Sequence, residues 1–263
     1  MNDGTGKFAP ASMTINGGIA SVTSPIVLSS IGNPPFSGHE CGISELLVGD
    51  LNNDGKPDLV TADQSNESFI NQSTPGNLSF MLEKNFSGDW NFGGVLIDIN
   101  GDGLLDYVGT SGFNYGASPV PVHAEINDGT GIYNVDNTVF LPAQPEVVHP
   151  RQYLAADFNG DGKQDLLISD HGYDSTPYPG ARNWLLLNNG AGKLVDVTAT
   201  NLDLLPGYTH QSSIGDLNGD GKPDILLNNN SGCDGVGLQC ANEPRFWLND
   251  GTGKFTSYNP AIQ

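Results

Sequence analysis

The chain has 263 residues and carries 30 Asp and Glu against 10 Lys and Arg, a net charge of −20 with an isoelectric point near 4.1. Phosphate backbones are repelled by such a surface, which argues against nucleic acid as a partner, and no run approaches the roughly 18 apolar residues that membrane insertion requires. With only 15% charged residues and 37% hydrophobic ones, the chain can still bury a core rather than remain a disordered polyelectrolyte.

Asp outnumbers Glu by 23 to 7 and stands beside 35 Gly and 17 Pro, a composition that favours turns over helices. The opening MNDGTGKFAP has neither a basic segment nor an apolar one of the secretory kind. The chain is therefore expected either to be cytosolic or to start inside a longer secreted or surface-displayed protein. Residues 1–43 read as irregular, and regular units follow at about 44–80, 92–140, 150–200 and 210–258. Together they are read as one domain over 1–263.

The units share an acidic segment: DLNNDGKPDLV from Asp50, DINGDGLLDYV from Asp98, DFNGDGKQDLL from Asp157 and DLNGDGKPDIL from Asp216. Their starts lie 48, 59 and 59 residues apart, which suits a four-stranded propeller blade. A second motif keeps phase with the first: MNDGTGKF at the start, INDGTGIY from Ile126, LNNGAGKL from Leu187 and LNDGTGKF from Leu248, with a degenerate NQSTPGNLSF from Asn71. Asn-Gly and Asp-Gly supply the positive φ of tight strand reversals, so these are hairpin turns.

In the third unit the strands read QYLAADF, DLLISD, NWLLLNN and KLVDVTA, with the acidic loop after the first and no helix between. The fold class is all-β, a β-propeller of four-stranded antiparallel blades. Four blades are regular. The irregular N-terminal part either builds a fifth sheet that closes the ring, the reading favoured because closure removes sheet edges, or the chain is a fragment of a larger propeller.

Positions 1, 3, 5 and 9 of every acidic loop carry oxygen side chains: Asp50, Asn52, Asp54 and Asp58; Asp98, Asn100, Asp102 and Asp106; Asp157, Asn159, Asp161 and Asp165; Asp216, Asn218, Asp220 and Asp224. Three carboxylates within ~5 Å repel by roughly 3 kcal/mol per pair at an effective dielectric near 20, so a compact loop of this kind calls for a cation. Oxygen donors without His or Cys select a hard ion, and a flexible set of six or seven ligands suits Ca²⁺ better than Mg²⁺. The carbonyls of Lys56, Leu104, Lys163 and Lys222 complete the set, and Gly at position 6 permits the bend. About four Ca²⁺ ions are expected. An EF-hand would need Glu at position 12 between helices; Thr61, Gly109, Ile168 and Leu227 stand there, and strand residues follow.

These loops resemble the FG-GAP/VCBS repeats of integrin α-subunit propellers and of bacterial surface proteins, over roughly residues 44–258. The Phe-Gly and Gly-Ala-Pro signature is missing from most units, with Phe92-Gly93 its nearest trace, so the resemblance is to the bacterial form. It implies a calcium-binding propeller in adhesion, lectin or polysaccharide-lyase service, and does not choose among them.

No nucleophile elbow, phosphate loop or zinc-protease motif appears, and no catalytic residue is assigned. The richest binding segment is SDHGYDSTPYPGARNW, where Asp170, His171, Tyr173, Asp174, Tyr178 and Arg182 crowd one inter-strand loop. Trp90, in GDWNFGG, is a candidate aromatic platform. Trp184 and Trp247 occupy equivalent third-strand positions and read as inter-blade core; His149 and His210 read as strand-end packing. Cys233 and Cys240 leave a small loop disulfide and two reduced thiols equally open, with Cys41 left over. The expected function is a secreted or surface recognition and adhesion module for carbohydrate or a surface glycoconjugate. The alternatives are a propeller lyase or hydrolase and a structural spacer.

Overall fold

The computed structural model describes residues 13–16, 19–22, 46–61, 67–83, 93–110, 118–129, 132–173, 180–229 and 245–258. Short runs rich in apolar residues, several of them leading into an acidic loop or an Asn-Gly or Asp-Gly turn, become strands of two to eight residues. The first sheet contains β1 (Met13–Asn16), β2 (Ile19–Val22), β3 (Leu46–Gly49), β4 (Asp58–Thr61), β5 (Ser68–Asn71) and β6 (Ser79–Glu83) in the order β1-β2-β6-β5-β4-β3. The second orders β7 (Gly94–Ile97), β8 (Asp106–Thr110), β9 (Val120–Asn127) and β10 (Tyr133–Val135) as β10-β9-β8-β7.

Two short strands follow, β11 (Phe140–Leu141) and β12 (Glu146–Val147), and β12 pairs with β9. The third sheet runs β11-β16-β15-β14-β13, from β13 (Pro150–Ala156), β14 (Asp165–Asp170), β15 (Trp184–Asn188) and β16 (Leu194–Asp196). In the fourth, β17 (Thr209–Gly215), β18 (Asp224–Asn229), β19 (Arg245–Asn249) and β20 (Phe255–Tyr258) lie in chain order. Each unit is thus an antiparallel four-stranded meander, as expected of a blade. The leading strands β3, β7, β13 and β17 lie side by side in that order.

Two local features differ from the expected strands. The fourth strand of the third unit stops at Asp196, and Thr198–Asn201 forms a single helical turn, because the Asp196 carboxylate takes the Thr198 amide at 2.9 Å. Asn137–Val139 likewise makes a 3₁₀ turn, capped by Asp136. The described part of the N-terminal segment is a hairpin on the outer edge of the first sheet, with Ile19 opposite Met81, rather than a sheet of its own.

The core sits in the seams between sheets. Ile97, Ile99, Val108 and Val122 meet Leu166, Ile168, Leu186 and Leu194 between the second and third. Between the third and fourth, Phe158, Leu167 and Leu185 meet Ile225, Leu227, Trp247 and Phe255. Trp247 is 1% exposed and Trp184 is packed against the other seam, so both indoles belong to the inter-blade core as expected.

Candidate metal centres

The four acidic loops connect β3 to β4, β7 to β8, β13 to β14 and β17 to β18, all at one end of the sheets. Their backbones repeat one another. Position 6 is left-handed in every loop, with φ between 81° and 86° at Gly55, Gly103, Gly162 and Gly221. Position 4 is left-handed as well, at Gly101, Gly160, Gly219 and Asn53, the last with φ 59°. Asn is among the few side chains that tolerate this conformation, which explains how the first loop dispenses with Gly there.

The position-1 carboxylate organises the bend. Asp157 Oδ1 accepts from the Gly160 and Asp161 amides at 2.7 and 3.0 Å, and its Oδ2 accepts from Gly162 at 2.8 Å. Asp50, Asp98 and Asp216 take the amides of Gly55, Gly103 and Gly221 in the same way. The position-3 Asn oxygen accepts from the position-5 amide, and the position-5 carboxylate from the position-7 amide, as at Asn218 with Asp220 (2.8 Å) and Asp220 with Lys222 (3.0 Å). Lys56, Lys163 and Lys222 also place Nζ 3.2, 3.7 and 3.3 Å from the position-5 carboxylate, pairs that are exposed and screened. Leu104 has no such charge; there the Asn100 side-chain amide donates to Asp102.

Position 9 is different in kind. Asp58, Asp106, Asp165 and Asp224 are all fully buried, the first residue of the second strand of each blade. Each accepts two backbone amides. One comes from position 2 of its own loop (Leu51, Ile99, Phe158, Leu217) and the other from the end of the third strand (Asn71, Asn127, Asn188, Asn249), all at 2.7–2.9 Å. Burial pushes the Asp106 and Asp165 carboxyls up to about 6 against those hydrogen bonds, and the loop carboxylates nearby push the same way. Asp58 is raised for the same reason.

The third-strand Asn is a residue that sequence reading treated only as part of a turn. Its side-chain amide crosses to the preceding blade: Asn127 Nδ2 donates to Leu51 O at 2.8 Å, Asn188 to Ile99 O at 3.2 Å and Asn249 to Phe158 O at 2.8 Å. Every acceptor is position 2 of an acidic loop. The loop of one blade is therefore fastened to the hairpin turn of the next, and the recurrence of Asn just before each Asn-Gly or Asp-Gly pair was the available signal.

The donor set of each loop, three carboxylates, an amide oxygen and a main-chain carbonyl, fits a hard divalent cation by its chemistry. Among the described residues, no three acidic, histidine or cysteine side chains are gathered closely enough to hold a metal ion by themselves. The side-chain oxygens of positions 1, 3 and 5 are turned onto loop amides, which leaves further lone pairs on each.

A cleft of about 450 Å³ opens beside the first loop, lined by Asn52, Asp54 and Lys56 of that loop, by Met81 and Glu83 of β6 and by Tyr133 of the second sheet. Of the candidate ligand residues, Trp90, Asp174 and Tyr178 lie outside the described residues, as do Cys41, Cys233 and Cys240. His171 is 5% exposed, its ring edge-to-face with Tyr208 at 4.6 Å, His210 at 4.5 Å and His149 at 5.2 Å. Structure thus joins three histidines from separate sequence segments, at the end of the sheets away from the loops. The Tyr173 carbonyl accepts from Tyr208 OH at 3.2 Å. Arg182 is exposed and lays its guanidinium over Trp184 at 4.0 Å rather than joining the histidines. Asp170 is buried under three amides, those of Val148, His149 and Gly172.

Comparison with known proteins bears on this arrangement. The FG-GAP-like repeat family matches residues 50–109 and 157–227, spans that begin at the first and third acidic loops. No curated protein matches the chain. Among solved structures, the V. cholerae biofilm matrix protein Bap1 aligns with 80% of this chain at 16% identity and a TM-score of 0.33. This chain spans 29% of the length of Bap1 in that alignment. Shared residues, loop geometry and blade-like sheets make this chain an FG-GAP-like repeat protein.

Proposed function

We propose that the chain is a calcium-stabilised propeller, located outside the cytosol, that recognises carbohydrate. The observation that carries the metal part is the fourfold recurrence of one all-oxygen loop, with left-handed backbone at positions 4 and 6 and carboxylates at 1, 5 and 9. The ligands are those of the sequence reading, from Asp50, Asn52, Asp54, Lys56 O and Asp58 in the first loop to Asp216, Asn218, Asp220, Lys222 O and Asp224 in the fourth. Bound Ca²⁺ supplies positive charge among carboxylates that otherwise repel one another. The loops contribute a preformed bend, and position 9 transmits the ion's hold to two strands and a neighbouring turn.

Extracellular calcium modules bind at about 10⁻⁴–10⁻³ M, so at roughly millimolar Ca²⁺ each site contributes about 0.4–1.4 kcal/mol by mass action. Four sites together contribute several kcal/mol, comparable to a domain's net stability. Cytosolic calcium is too scarce to fill such sites, which supports a secreted or surface location.

Carbohydrate as the ligand is supported by the cleft beside the first loop, where polar Asn52, Lys56 and Glu83 share the walls with Met81 and Tyr133. Its volume lies in the range of small-molecule sites. Binding on a glycan array that Lys56→Ala and Glu83→Gln abolish supports this reading; an array left silent by the calcium-loaded protein contradicts it.

A further inference from the structure

The first acidic loop belongs to two sites at once. Asn52, Asp54 and Lys56 are its positions 3, 5 and 7, two side-chain oxygens and a carbonyl of the donor set, and the same three residues line the cleft. Gly129 and Tyr133 of the second blade's hairpin line it too, and Asn127 of that hairpin is tied to Leu51 O of the loop at 2.8 Å. Loop and cleft are therefore held in one frame.

Lys56 connects them chemically. Its amide donates to Asp54 Oδ1 at 2.9 Å and its ammonium to Oδ2 at 3.2 Å, so one residue engages both oxygens of the position-5 carboxylate. Lys163 and Lys222 make the same ion pair at 3.7 and 3.3 Å in their own loops, but of the three lysines Lys56 is the one that lines the cleft. A divalent cation drawn to Asp54 competes with the ammonium for Oδ2 and repels it. The main-chain amide is fixed by the bend, whereas the lysine side chain is flexible and 44% exposed, so the ammonium is the group that yields.

We propose that Lys56 makes ligand binding in the cleft calcium-dependent. With the first loop loaded, Asp54 is given over to the ion and the Lys56 ammonium turns to the cleft, where it donates to a saccharide hydroxyl while the Glu83 carboxylate accepts from another. Met81 and Tyr133 carry the apolar face of the ring. Without calcium the ammonium stays on Asp54 and is withheld from the ligand. The inference rests on both readings above, calcium in the loops and carbohydrate in the cleft, and adds the coupling between them. That coupling is reciprocal: the factor by which calcium raises saccharide affinity is the factor by which saccharide raises calcium affinity at the first loop.

Two measurements on the full chain test it. In an NMR titration with Ca²⁺, the amides of Gly55, Gly103, Gly162 and Gly221 each report the filling of their own loop. Lys56→Gln removes the competitor and is expected to move the Gly55 midpoint to about two- to fivefold lower calcium, the range set by an exposed ion pair, with the other three in place. Lys193→Gln deletes an equal charge, one bound to Thr138 O, and is expected to move none of them. A Gly55 midpoint that Lys56→Gln leaves unchanged overturns the proposal. A glycan array probed at roughly millimolar Ca²⁺ and in chelator, at a temperature where circular dichroism shows both forms folded, reads the other half. The unsubstituted chain and Lys193→Gln are expected to lose binding by about the same two- to fivefold factor on chelation, and Lys56→Gln to bind poorly in both conditions. Saccharide binding that is equal with and without calcium overturns the coupling and leaves the carbohydrate reading standing. An array silent in both conditions contradicts the carbohydrate reading and the coupling with it, while glycine amides that do not respond to Ca²⁺ contradict the metal reading and the coupling instead.

Discussion

Carboxylates at positions 5 and 9 look alike in sequence and do different work. Asp161 is partly exposed and holds a loop amide; Asp165 is buried and holds the amides of Phe158 and Asn188. Asp165→Ala strands two buried N–H groups and is expected to lower stability by about 3 kcal/mol or more in urea unfolding with chelator present. Asp161→Ala under the same conditions is expected to cost below about 1 kcal/mol. His123 offers a pH readout. It is buried near Glu125, 3.6 Å from Nε2, and burial depresses its pKa to about 4. A histidine depressed from about 6.5 favours the fold in its neutral form. Its contribution, up to about 3 kcal/mol, is complete above pH 6.5 and is lost as pH falls through 4. Between pH 7 and 4.5 the protein should therefore lose more stability than His123→Gln does. Equal losses in the two would contradict this assignment.

Among the elements, loops and meanders were legible in the sequence because their determinants are local. Positive-φ glycines, oxygen side chains at alternate positions and apolar runs of strand length all act within a dozen residues. The seam contacts were not legible, since Asn127, Asn188 and Asn249 reach carbonyls 76, 89 and 91 residues away. Turn chemistry explained those Asn residues well enough to hide their second role. The same holds for His149, His171 and His210, which meet only through the register of β13, β14 and β17. His171, expected to face a ligand, is covered by the others instead. If the Asn contacts fasten blades, Asn188→Ala should destabilise by about 1–2 kcal/mol, whereas substituting the exposed neighbour Asn189 should change little. Thermal unfolding of the two variants side by side checks this.

At the scale of the molecule, a chain with net charge −20 gathers carboxylates into four loops at one end of its sheets, an arrangement that self-repulsion opposes unless cations intervene. Chelation is therefore expected to lower the melting temperature substantially and Ca²⁺ to restore it. Equilibrium dialysis of the chelator-stripped protein against Ca²⁺ tests the central claim most directly. The account predicts about four ions bound near millimolar calcium, and about three in each of Asp54→Ala, Asp102→Ala, Asp161→Ala and Asp220→Ala. Binding that is absent, or a stoichiometry untouched by all four substitutions, would contradict it.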